Sequence, residues 1–195
     1  MERINLFLNT SKRILSIWDL FDTKVSMKYK KFNEEVLYPR ESVVTVSACD
    51  LAFLKEAAVK NPRRRIRLCA HAGTEEKTHE MFIVHGRDVY VRPHKHLGRS
   101  ESFHVLEGQV DIILYNDAGQ LMQVIEMGDM PSGKTFYYRI TEPLFHTLRI
   151  RSEIICFKEV TAGPFNPETT VYAPWSPDEK DTGGVRRFMQ IVKEY

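Results

Sequence analysis

The chain has 195 residues, with 28 lysines and arginines against 26 aspartates and glutamates, a formal net charge of +2. So even a balance sets aside nucleic acid or an anionic membrane as the default partner, and 43% hydrophobic with 28% charged residues sets aside disorder over most of the length. The length suits one domain with an extension.

Residues 1–42 read as an N-terminal extension. Ile14, Ile17, Trp18, Phe21 and Val25 recur at three- and four-residue steps, which is one face of a helix, with Lys12, Arg13, Asp19 and Lys24 on the other. Such a helix packs on the body or on a second subunit, or it lies on a membrane surface. Met27 is an alternative start that would remove it. No run of about 18 apolar residues exists, so no membrane span is expected. In residues 43–80, Val43 to Val46 reads as a short β-branched strand. Asp50 is placed to cap a helix through Leu51, Leu54, Ala57 and Ala58, which Asn61-Pro62 ends. Arg63, Arg64, Arg65 and Arg67 follow, either as a solvated basic segment or as cations beside an anionic ligand.

Residues 81–162 change to short strands: Met81–Val84, Val89–His96 broken by Pro93, Ser102–Leu106, Val110–Tyr115, Leu121–Met127, Phe136–Ile140, Phe145–Ile150 and Glu153–Val160. Turn signals separate them, with Glu107-Gly108 and Asn116-Asp-Ala-Gly119 the clearest. Strands at this spacing with no long helix between them predict a β-sandwich or barrel. Residues 163–195 read as a proline-rich arm, with Pro164, Pro167, Pro174 and Pro177; Trp175 is placed as a lid or a subunit anchor. Cys49, Cys69 and Cys156 form no C-x-x-C and no even-numbered framework, which points to a reducing cytoplasm. Cys69 and Cys156 sit on apolar stretches and read as buried and inert.

The chemistry concentrates between Gly86 and Gly108. On a strand, residues two apart share a face, so His94 and His96 present two imidazoles side by side. A turn through Gly98 brings Glu101 back beside them. His146 offers a third imidazole from a later strand. Three nitrogens and one carboxylate oxygen can close around a divalent ion and leave positions open. By the same parity Tyr90 and Arg92 face the histidines, where a phenol and a guanidinium can orient a substrate. Glu159, Tyr137 and Tyr138 are candidates for pocket walls or a proton relay. His104 falls on the opposite face from Glu101 and reads as structural or exposed. There is no G-x-S-x-G, no phosphate-binding P-loop, no G-x-G-x-x-G and no H-E-x-x-H.

The order Gly, His-x-His, Glu, Gly resembles the first signature of the cupin superfamily. That resemblance implies a double-stranded β-helix, a small jelly-roll barrel, with His94, His96, Glu101 and His146 as metal ligands. Two departures stand out. Gly86 lies two residues further from His94 than the pattern has it. Pro131-Ser-Gly133 stands thirteen residues before His146, with Ile150 where the second signature has Asn. Either a strand is inserted there or that turn is unrelated. Asn61-Pro-Arg-Arg-Arg65 with His71, Tyr90-Val-Arg-Pro-His94-Lys-His96, Glu159 with Gly163-Pro-Phe165, and Ala173-Pro-Trp-Ser-Pro177 with Glu179 together resemble the WbuC family of cupin-fold metalloproteins, over residues 45–180. That resemblance implies a metal, a role for His71 and a link to surface-polysaccharide gene clusters. Cupins are commonly dimers, which implies a homodimer.

The expectation is therefore an all-β cupin barrel with an N-terminal helical extension, holding one divalent transition metal (Fe, Mn, Ni, Zn or Cu). Its function is expected on a small polar substrate, a sugar or sugar derivative, with the metal as Lewis acid. Arg92, Tyr90 and Glu159 are the candidate catalytic residues, and Arg65, His71 and Tyr138 the candidate substrate-binding ones. Isomerase or epimerase chemistry fits this set, as does dioxygenase chemistry with Fe, Cu or Ni. The alternatives are a metal-containing sensing module without turnover and a structural partner in polysaccharide assembly.

Overall fold

The computed structural model describes residues 27–195. The expected helix around Ile14 to Val25 lies outside them. In chain order the elements are β1 (Tyr29–Lys31), β2 (Val36–Pro39), α1 (Ala48–Lys60), β3 (Arg65–Cys69), β4 (Thr78–Gly86), β5 (His94–His96), β6 (Glu101–Glu107), β7 (Gln109–Tyr115), β8 (Leu121–Gly128), β9 (Tyr137–Ile140), β10 (Phe145–Ile150), β11 (Ile154–Ala162), β12 (Thr170–Tyr172) and α2 (Thr182–Lys193).

Two sheets result, one ordered β1-β2-β3-β4-β11-β6-β9 and the other β12-β5-β10-β7-β8. Within them β4 pairs with β11, β5 with β10, β6 with β9 and β7 with β8, all antiparallel. That is one long hairpin, β4 to β11, wound so that alternate pairs fall in alternate sheets. It is the jelly-roll order of a double-stranded β-helix, so the cupin fold follows from strand pairing itself. β1 to β3 extend one edge of the larger sheet, and β12 extends the smaller one.

Period-2 alternation puts Met81, Ile83, Phe103, Val105 and Phe157 of the larger sheet against Val110, Ile112, Leu148 and Ile150 of the smaller one. The outer faces are covered by helices. α1 lays Leu54 and Ala58 on Leu68, Val84 and Cys156. α2 lays Phe188 and Val192 on Ile113, Tyr115 and Phe145. The turns follow the sequence signals. Gly119 and Gly108 adopt φ of +81° and +95°, which favours glycine. At Gly108 a Cβ would lie 2.6 Å from the Ile154 carbonyl oxygen.

Several expectations are corrected. Val43 to Val46 form no strand; β-propensity decides little without a paired neighbour. The strands nearby are β1 and β2, so residues 27–42 hold a hairpin, not a helix. α1 is capped by Ser47, and Asp50 stands three residues further in, completing a capping box. The arginine run enters β3. Only the last three residues of Val89–His96 are strand. The C-terminal arm carries β12 and α2. Pro131-Ser-Gly133 forms the turn between β8 and β9, and β9 is the strand inserted before His146. Among the described residues no helix is long and apolar enough to cross a membrane.

Candidate metal centre

β5 carries both histidines of the His-x-His pair, and β10 sets His146 directly opposite His94. The ring centroids lie 4.5 Å apart for His94 and His146, 4.9 Å for His94 and His96, and 5.7 Å for His96 and His146. One ring nitrogen of each falls within 4.8 Å of the others. Glu101 reaches across from β6 in the facing sheet, with Oε2 3.1 Å from His96 Nε2 and Oε1 3.6 Å from His146 Nε2. Tyr138, beside it on β9, donates its hydroxyl to Glu101 Oε1 at 3.4 Å. All four donors expected from the sequence thus meet at one end of the barrel.

Hydrogen-bond partners fix the tautomers. His94 Nδ1 is 2.8 Å from the Arg92 carbonyl, and His146 Nδ1 is 3.0 Å from the Leu144 carbonyl. A carbonyl only accepts, so each ring carries a proton on Nδ1, which leaves Nε2 as the nitrogen placed to ligate. Burial first, then His146, pushes the His94 pKa down to about 3, so the ring is neutral, as a ligand must be. His146 Nε2 is buried with no hydrogen-bond partner among the described residues. A buried ring nitrogen left without a partner is costly. His96 is set differently. Arg99 Nη2 approaches its Nδ1 at 2.8 Å, with Thr170 Oγ1 at 3.2 Å. A guanidinium only donates, so His96 Nδ1 accepts and its Nε2 proton points at Glu101. To ligate through Nε2, His96 must give up that proton. Burial acts to raise the Glu101 carboxyl, but His146 and His96 outweigh it and hold Glu101 below the usual carboxylate range. Three imidazoles and an ionised carboxylate fit a divalent ion.

A cavity of about 630 Å³ opens on His94 and His96 and is lined also by His71, Arg67, Arg99 and Glu159. A neighbouring cavity of about 380 Å³ shares Val36, Arg67, His94, Glu159 and Thr170 with it, and adds Arg65, Arg92, Tyr172 and Glu179. Glu159 lies one inward-facing step from Thr161, which pairs with Glu101. Burial and then the Glu101 charge push Glu159 up to about 8, so it holds a proton at neutral pH. Burial and the same charge also push the Tyr138 hydroxyl well above its ordinary value.

The other expected site residues are placed as follows. His71 lines the larger cavity, stacked on His79 at 4.1 Å, with Nδ1 held by the Glu80 backbone at 3.1 and 3.2 Å. Arg65 is ion-paired to Glu35 at 2.7 Å and to Glu179 at 3.6 Å. Tyr90 does not face the histidines. The chain turns at Gly86 to Val89, which breaks the strand parity, and the Tyr90 hydroxyl donates to the Pro177 carbonyl at 3.0 Å. Arg92 borders the smaller cavity beside His94, yet its guanidinium is held by Asp178 at 2.8 Å and Ser176 at 3.3 Å, and stacks over Tyr172. Sequence reasoning missed Arg99, which lies in the turn between β5 and β6 where no periodicity marks it. It also missed Tyr172 and Thr170, which pair with His94 and His96 through β12.

Among sequence families, the Domain of unknown function DUF6016 matches residues 46–127. A comparison with curated proteins found no match. Among solved structures, a protein of Shewanella oneidensis is 10% identical, covering 64% of this chain and 77% of its own, with a TM-score of 0.45. A mutant of Bacillus subtilis oxalate decarboxylase is 15% identical over 50% of this chain and 24% of its own, with a TM-score of 0.41. The capsular polysaccharide assembling protein CapF of Staphylococcus aureus is 14% identical over 55% of this chain and 31% of its own, with a TM-score of 0.43. The chain thus spans about a quarter of the oxalate decarboxylase and under a third of CapF. Likeness at this level assigns no activity.

Proposed function

We propose that the chain is a cupin-type metalloenzyme that binds one divalent transition metal through His94, His96, Glu101 and His146 and acts on a small polar substrate, a sugar or sugar derivative. The observation that carries this reading is the buried His146 Nε2, which has no hydrogen-bond partner among the described residues, on a ring that offers a nitrogen within 4.8 Å of one from each of His94 and His96. A bound divalent ion supplies Lewis acidity toward a carbonyl or a pair of hydroxyls. Around it, Glu101 contributes a carboxylate whose outer oxygen Tyr138 steadies. Glu159, protonated at neutral pH, is the group that gives or takes a proton on the cavity wall. Arg92 borders the adjoining cavity, where a substrate reaching past His94 meets its guanidinium.

The run Tyr90 to His96 and the late Ala173-Pro-Trp-Ser-Pro177 support membership of the WbuC-like cupins and a role beside surface-polysaccharide synthesis, as a cytoplasmic homodimer. Metal analysis of protein purified without chelator tests the premise. About one equivalent of a transition metal is expected, falling to background in the His94→Ala/His96→Ala double variant. A metal content unmoved by that double change sinks the reading. Turnover of keto sugars or sugar nucleotides supports an enzyme; a ligand-induced thermal shift with no product supports the sensing alternative.

A further inference from the structure

The arginines that line the two adjoining cavities divide into two groups. Arg65 and Arg92 each hold a carboxylate. Arg67 and Arg99 hold none among the described residues, and these two line the cavity onto which His94 and His96 open. Among the described residues the Arg67 guanidinium has one side-chain hydrogen-bond partner, Met81 Sδ at 4.0 Å. Arg99 spends Nη2 on the His96 ring and on Thr170, and its Nε is buried with no partner among the described residues. A guanidinium presents donors in a planar fork that matches the oxygens of a carboxylate or phosphate. Leaving a buried donor unmet is costly. Lys30 adds a third cation to the same lining, and Glu159 is its one acidic side chain among the described residues. The cavity is therefore positive even when Glu159 is ionised. Tyr38, Val36, Met81 and Phe165 supply apolar wall for a carbon skeleton.

We propose that Arg67 and Arg99 form an oxyanion subsite beside the three histidines, so that the substrate of this cavity is a small anion, bound by a carboxylate or phosphate group while its hydroxyl or carbonyl end faces His94 and His96. This rests on the metalloenzyme reading for the second end of the substrate, but not for the anion itself. Arg99 has a double position, because the guanidinium that would grip the anion also touches Nδ1 of His96.

The test is calorimetric titration of the full chain, metal-loaded and chelator-treated, with gluconate, inorganic phosphate and glucose as probes. Expected is binding of gluconate or phosphate, weakening as salt rises, and none of glucose. Gluconate alone assigns a sugar acid or other carboxylate, and phosphate alone a phosphorylated substrate. Arg67→Gln and Arg99→Gln are each expected to weaken the bound anion about 10-fold or more. Arg67→Lys keeps the charge without the fork and falls between, and the surface variant Arg87→Gln leaves affinity unchanged. Thermal unfolding of each variant confirms that it is folded, and metal content is measured on the same samples. Glucose binding as tightly as gluconate, no anion bound, or an affinity indifferent to the loss of both arginines overturns the subsite while leaving the metal reading intact. Anion binding through Arg67 and Arg99 in a protein that never retains metal upholds the subsite and removes the metalloenzyme.

Discussion

Arg149 on β10 lies between the smaller sheet and α2, and replacing it by methionine is a test of what holds that helix down. Its Nε donates to Asp111 Oδ2 at 2.7 Å, its Nη2 lies 2.6 Å from the same oxygen, and its Nη1 donates to the Val192 carbonyl at 2.8 Å. Asp111 is 1% exposed. Arg149→Met strands that carboxylate with only the half-exposed Arg151 guanidinium, 3.4 Å away, and leaves a carbonyl in the last turn of α2 unpaired. Removing one partner of a buried pair costs about 3–5 kcal/mol, a large share of the roughly 5–15 kcal/mol that holds a domain folded. Removing both partners is different in kind, since no desolvated charge remains. Asp111→Leu/Arg149→Met should regain most of the loss. Urea unfolding by circular dichroism, with stability extrapolated to water, gives both numbers. A single variant that loses under about 1 kcal/mol, or a double variant as weak as the single one, refutes the reasoning.

Three further outcomes are expected. Glu159 has a folded pKa of about 8 against an ordinary 4.5, so its contribution is fully present below the unfolded value and is lost as pH rises through the folded one; metal-free protein should lose a few kcal/mol between those values and Glu159→Gln much less, with parallel melting-temperature curves against pH counting against this. Gly108→Ala forces a side chain onto a φ of +95° with its Cβ 2.6 Å from the Ile154 oxygen and should cost about 1–3 kcal/mol, so an unchanged melting temperature would contradict the geometry. Leu54→Ala empties a fully buried position between α1 and the larger sheet; about 2–5 kcal/mol of stability should go, with metal content per folded molecule unaltered.

The barrel was legible because its strands alternate and its turns are chemically explicit. Asn116 to Gly119 and Gly108 needed no tertiary information to be placed. The histidines were legible for the same reason, since two-residue spacing on a strand fixes a face, and β5 keeps that face. One turn further back the rule failed. From Gly86 to Pro93 the chain leaves the sheet, and Tyr90 and Arg92 are aimed by contacts with residues 176–178, some 85 positions away in sequence. β1 was hidden because an edge strand of Tyr-Lys-Lys has no apolar stripe to show. β3 was hidden because its arginines read as a charge run, although Ile66 and Leu68 alternate with Arg65 and Arg67 beneath α1. α2 opens on Gly183-Gly184, which masks a helix start, yet Val185, Phe188 and Val192 carried a helical spacing that went unused. The contrast between paired and unpaired arginines is a property of the assembled mouth, and no local pattern contains it.

β5 is three residues long and owes its geometry to neighbours on both sides. β10 holds one edge through His146, and β12 holds the other, with Thr170 opposite His96 and Tyr172 opposite His94. The segment leading out of β12 then docks under α2 through Ala173 and Trp175. Fraying of that segment would release the cross-strand bonds from Leu97 N–H to the Thr169 carbonyl (2.8 Å) and from Ala173 N–H to the Pro93 carbonyl (2.9 Å) together. Deuterium should therefore enter at Leu97 and Ala173 in step, as one opening unit whose closure seals the ligand strand.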